Sequence, residues 1–261
     1  MKKVFTKFNI LSLIFGFSFL YIPILLLIVY SFNASKLVSI WGGFSTQWYT
    51  AVIENKNLLE AVATSLKVGL LSATLATTLG TLAAFVVVRG GRFPTHTFFT
   101  SMIYAPLVMP EVMTGLSLLL LFVAINLERG FLTIVLAHSI FTMSFATVVV
   151  QARLRNFDIS VEEAALNLGA TPLRTFFYIT LPLIAPSVIS AWLLSFTLSL
   201  DDLVIASFTA GPGSMTLPMK IYSQVRMGVT PEINAISTLM ITAVTLIVCV
   251  STYLSKKPPV P

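Results

Sequence analysis

Long apolar runs separated by short polar connections dominate this chain. Six of them, at about 10–31, 63–88, 98–124, 131–151, 186–206 and 232–254, are long enough to cross a membrane, since a hydrocarbon core of about 30 Å takes about 20 mainly apolar residues in a helix. The pattern predicts an all-α polytopic membrane protein, with residues 1–261 forming one transmembrane domain of six spanning helices. The first run is too long for the apolar core of a secretory signal and lacks a small-x-small cleavage pattern, so it is expected to remain as a helix. No internal repeat or soluble domain is visible, and everything outside the six runs reads as loop.

Proline, glycine and polar residues punctuate that pattern. In the third run Pro106 and Pro110 stand four residues apart with Glu111 directly after them, which weakens the helical hydrogen bonds there and predicts at least a kink. The first loop carries Trp41, Trp48 and Tyr49 close to the membrane edge, as interfacial anchors or, for Trp48, as a face for a cation. The fifth loop has a glycine-proline turn and then a short amphipathic piece, and Thr230 with Pro231 opens the last helix. The segment 152–185 is too polar for the bilayer and reads as two short helices. Ser160 and Glu163 fit a capping box, Gly169 suits a left-handed helix end, and Thr171 with Pro172 suits the start of the next helix.

Composition agrees with a membrane setting. The 261 residues are 56% hydrophobic and only 10% charged, against about 25% charged in soluble domains. A net charge of +6 would suggest nucleic acid in a soluble protein, but here the placement of Lys and Arg matters instead. With the N-terminus inside, ten basic residues, among them Lys2, Lys3, Arg92, Arg153, Arg155, Lys256 and Lys257, fall on the inner side and six on the outer. Both termini are therefore expected in the cytoplasm. Cys249 is the only cysteine, which excludes a disulfide framework and a cysteine metal site; it reads as a small packing residue, and no metal site is expected.

The acids in the apolar runs need a reason, because a central Asp costs about 2.5–3.5 kcal/mol on insertion scales. At 1.5 Å per residue, Asp201 lies roughly 22 Å beyond Pro186 and Glu111 roughly 20 Å beyond Phe98 from the same side, so Glu111, Asp201 and Asp202 can share one depth. The two aspartates point about 100° apart on a helix. Asp202 shares its face with Ser199 and Ser195, a stripe suited to lining a path, whereas Asp201 faces with Thr197 toward a neighbouring helix or a partner. Carboxylates on a path attract cations; the charge alone does not choose among polyamine, ferric iron and thiamine, and pairing with fixed bases such as Lys67 stays open. His138, in the fourth run, reads as a hydrogen-bonded packing residue rather than a proton relay.

One motif is specific. Glu163-Ala164-Ala165, three residues, Gly169-Ala170, then Leu181-Pro182 and Pro186 resembles the EAA loop of ABC importer permeases. The stretches "APLVMPEVMTGLSLLLLF", "SFTLSLDDLVIASFTAGPG" and "GVTPEINA" are similar to the polyamine transporter permeases within that family. The resemblance implies a type I ABC importer permease fold in a bacterial inner membrane, moving ligand by alternating access. It implies a second related permease, a cytoplasmic ATPase dimer and a periplasmic polyamine-binding protein as partners. It also implies that Glu162, Glu163, Ala164, Ala165, Gly169 and Ala170 couple to the ATPase; Trp48, Glu111, Ser195, Ser199, Asp201 and Asp202 are the substrate-path candidates on the depth, facing and charge arguments above. No Gly-x-x-x-x-Gly-Lys-Ser/Thr occurs, so no cofactor is expected in this chain; ATP and magnesium would belong to the ATPase. An ion-coupled secondary carrier and an intramembrane acid-base enzyme are the competing classes. The carrier would need no helical docking loop, and adjacent aspartates on one helix converge poorly on one substrate atom.

Overall fold

The computed structural model describes residues 6–37, 40–91, 93–228 and 230–255, with 250–255 by backbone alone. Lys2, Lys3, Arg92, Lys256 and Lys257 of the charge count, and Val229 of the "GVTPEINA" stretch, lie outside the described residues. The helices are α1 (Lys7–Tyr30), α2 (Gln47–Glu54), α3 (Lys56–Arg89), α4 (His96–Val108), α5 (Glu111–Ala124) and α6 (Phe131–Arg155). They continue with α7 (Ser160–Asn167), α8 (Pro172–Asp201), α9 (Val204–Thr209), α10 (Leu217–Met227) and α11 (Pro231–Ser255). Among the described residues, α1, α3, α6, α8 and α11 are long and apolar enough to cross a membrane, and α4 with α5 forms a bent pair that counts as a sixth span if the two are one.

Three expectations change. The third run does not kink but breaks: α4 and α5 meet at 117°. The fifth span begins far earlier than residue 186, because the second short helix expected in 152–185 is continuous with it through a π-helical turn at Phe176–Thr180. In that turn the Leu181 N–H bonds Phe176 O, an offset that accommodates Pro182, which has no N–H to donate. The Ser160–Glu163 capping box does not form. Ser160 is already inside α7, and its N–H donates to the Asp158 carboxylate at 3.0 Å, which holds that exposed carboxyl below the usual range. Gly169 does take the left-handed conformation at φ 87°, and the Thr171 hydroxyl accepts from the Arg174 N–H.

The chain divides into two compact units, one from residues 1–59 and 221–261 and the other from 60–220. In the first, α11 packs on α1 and α2, and Cys249 is exposed rather than packed. In the second, α6 is central and packs most extensively on α8, with α4, α5 and α9 also against it. The sequence of α6 explains this: Ala137, Ser139, Ala146 and Thr147 are small and buried, so neighbours approach closely without leaving cavities. At Gly80 of α3 an added Cβ would stand 2.9 Å from Ala146 Cβ and 3.0 Å from Met143 O. A buried cluster of Ala84, Ala146, Val150, Leu154, Ile184 and Ala191 joins α3, α6 and α8.

Candidate functional site

Two breaks in the spanning helices create the site. Met109 precedes a proline and is pushed to an extended ψ of 136°, and Pro110 follows with ψ 139°. The α4 helix therefore stops and α5 restarts at Glu111, where a first-turn carboxylate is favoured by the helix dipole. The second break follows Asp201: Asp202 is extended with ψ 122° before α9 begins at Val204. Non-helical backbone at membrane depth persists only when protein buries it or it lines a wet cavity. Here a cavity of about 230 Å³ lies between the breaks, lined by Glu111, Phe141, Leu198, Asp201, Asp202, Leu203 and Val204. Gly115 allows α5 to meet α9 closely, since a Cβ there would stand 2.7 Å from Phe208 Cδ2 and 3.4 Å from Ile205 Cα.

The three acids come together as the depth argument predicts, but their roles in the geometry differ. Asp202 is buried; its Oδ1 accepts the Ala206 N–H at 2.9 Å and lies 3.2 Å from His138 Nε2. That imidazole contact is close enough for charge attraction but lacks hydrogen-bond alignment. His138 Nδ1 lies 2.7 Å from Ser199 Oγ, which in turn lies 2.9 Å from Ser72 Oγ. The Ser199 and Ser195 stripe is thus fully inside the α3–α6–α8 interface and does not form an open wall; the Ser195 hydroxyl faces Thr142 O at 3.5 Å. Glu111 and Asp201 are exposed, and among the described residues neither has an ion-pair partner. Lys67 is exposed and pairs with neither of them. Asp202 is therefore held internally and does not extend the open polar wall that its serine stripe suggests, whereas Asp201 is accessible on this chain. His138 is a packing histidine, as read, but one that faces an acid of the site.

The six residues of the EAA segment also separate. Glu163, Ala164 and Gly169 are exposed and Ala170 is half-buried. Ala165 and Glu162 are buried; Glu162 turns inward to Arg89 and Thr180, both at 2.9 Å. Phe176 packs edge-on against Phe85 of α3 at 5.1 Å between ring centroids, which anchors the start of α8, while Phe177 stays exposed.

Trp48 belongs to the other unit. Its indole N–H donates to Asn33 O at 2.6 Å, leaving only the ring for other contacts. The Asn33 side chain is buried, accepting from Gly42 N at 2.7 Å and donating to Ile40 O at 2.7 Å. It organises this loop and does not offer itself to solvent. Among the described residues, no group of three His, Cys, Asp or Glu side chains could hold a metal ion.

Residues 76–257 match the family described as "Binding-protein-dependent transport system inner membrane component". The putrescine transport system permease protein PotI of Escherichia coli (strain K12) is 54% identical, over 97% of this chain and 92% of that protein. The spermidine/putrescine transport system permease protein PotC of the same organism is 42% identical, over 86% and 85%. A chain in the crystal structure of a bacterial alginate ABC transporter, in complex with an alginate pentasaccharide-bound periplasmic protein, shares the fold. The TM-score is 0.72 at 15% identity, covering 95% of this chain and 92% of that one.

Proposed function

The chain belongs to the binding-protein-dependent transport system inner membrane component family, and from that premise we propose that it is the membrane-spanning permease subunit of an ATP-driven importer for polyamines, with putrescine as the leading ligand. It would work in a bacterial inner membrane with both termini in the cytoplasm. A second related permease would complete the path, a cytoplasmic ATPase dimer would drive it, and a periplasmic binding protein would deliver ligand. The periplasmic protein bound to the alginate transporter of the same fold supports the last of these.

The 54% identity to the putrescine permease PotI carries the polyamine class, and the geometry supports a cation through the accessible carboxylates Glu111 and Asp201, without ion-pair partners among the described residues, on one cavity where two spans break. In a water-poor surrounding such charges attract cations strongly, and a diammonium chain offers two positive ends with an apolar middle for Phe141 and Leu198. Trp48 remains a candidate for cation contact through its ring face alone. The exposed Glu163, Ala164 and Gly169 would meet the ATPase.

Competition decides the ligand. In cells bearing the intact system, labelled putrescine uptake should be suppressed by excess unlabelled putrescine and more weakly by spermidine, and unaffected by ferric ion or thiamine. Suppression by either of the last two would overturn the polyamine reading.

A further inference from the structure

Glu162 immediately precedes the EAA motif, yet its carboxylate is only 10% exposed and its two oxygens are taken by two different spanning helices. Oε2 accepts from Arg89 Nε at 2.9 Å, at the last residue of α3. Oε1 accepts from the Thr180 hydroxyl at 2.9 Å, at the end of the π turn in α8. The Arg89 guanidinium also stands 5.9 Å from the centre of the Phe157 ring, in the link leading into α7. A buried charge pair is maintained at a desolvation cost and collapses if one partner is removed, so it ties its two elements firmly while both are present.

The placement matters because of how α7 is otherwise attached. It joins α8 through the short turn at Gly169, but α3 lies 73 residues away in sequence and reaches α7 through this ion pair. From this geometry we infer that Arg89 and Glu162 form an internal strut that transmits displacement of α7 into α3 and α8, with Glu162 acting as a positioning residue and not as a contact for the ATPase. Glu163, one residue on, faces outward and is free for docking, so adjacent glutamates have opposite duties. Arg89 holds Glu162 through Nε, and its buried Nη2 has no hydrogen-bond partner among the described residues. The pair is thus a single-contact joint and not a rigid two-point fork.

This inference rests on the importer reading, and the test separates the two. The complete assembly, reconstituted in vesicles with its ATPase and binding protein, is assayed for putrescine uptake and ATP hydrolysis in the same preparation. If the unaltered assembly shows no ligand-stimulated hydrolysis, the importer reading fails before the strut is tested. Given stimulation, Glu162→Gln and Arg89→Gln should each lower the putrescine moved per ATP hydrolysed by about tenfold, within the usual range of coupling between sites. The ATPase should still co-purify. The exchanged pair, Arg89→Glu with Glu162→Arg, should recover part of that ratio. A transport-to-hydrolysis ratio unchanged in both single variants would overturn the strut, as would loss of ATPase co-purification on Glu162→Gln with the permease still folded. If those variants do not fold, Thr180→Val removes one bond only, and an unchanged ratio there overturns the inference equally.

Discussion

Replacing His138 by Ala should destabilise the protein through the acid it faces and not mainly through lost packing. The His138 and Asp202 side chains are 1% and 3% exposed, with Nε2 and Oδ1 3.2 Å apart. With the Nε2–H facing the carboxylate, Nδ1 accepts from the Ser199 hydroxyl, while the Ser72 hydroxyl has Val68 O at 2.7 Å as an acceptor of its own. Removing the imidazole leaves Asp202 with the Ala206 N–H alone among the described residues and turns the Ser199 hydroxyl to Ser72 Oγ, 2.9 Å away. Leaving a buried charged group short of a polar neighbour costs about 1.5–3 kcal/mol; because the Ala206 bond survives, about 2 kcal/mol is expected. Asp202→Asn removes the charge, so His138→Ala in that background should cost about 1.5 kcal/mol less, a coupling within the range for contacting residues. Unfolding of the purified permease in nanodiscs, followed for the four members of the cycle, measures the coupling. Costs that add to within about 0.5 kcal/mol would refute the reasoning and return Asp202 to the pool of residues available to ligand.

Two further perturbations probe the backbone. At Gly169 a Cβ meets nothing within 4 Å, so only φ 87° opposes a side chain; Gly169→Val should cost about 1–2 kcal/mol, and Gly169→Asn markedly less, seen as earlier proteolysis around residues 168–171 in the Val variant. Gly211→Ala drives a Cβ into Arg129 O, a backbone atom that cannot step aside, and should cost about 3 kcal/mol or more in thermal unfolding, at the upper end for overpacking.

The apolar runs made the spanning helices legible, and Pro110 marked the first break because proline removes a donor and forces Met109 out of the helix. The second break carries no such mark. Between Asp201 and Val204 there is neither proline nor glycine, and the turn is held by Asp202, which accepts the Ala206 N–H of the new helix and faces His138. A continuous helix through 206 is therefore the natural reading, and it puts Asp202 on an open wall with Ser195 and Ser199. Periodicity placed Ser195 and Ser199 on one face correctly but could not say whether that face met water or α6. Likewise Glu162 and Glu163 are equivalent as sequence; Arg89, 73 residues earlier, distinguishes them.

The central claim is that Glu111 and Asp201 meet the passing cation. Initial rates of labelled putrescine uptake by the assembled system, measured across ligand concentration for Glu111→Gln, Asp201→Asn and the pair, test it most directly. Each single change should lower uptake efficiency about tenfold, equivalent to about 1.4 kcal/mol, and the double change more, with normal assembly with the ATPase. Unaltered kinetics in the doubly neutralised permease would contradict the account.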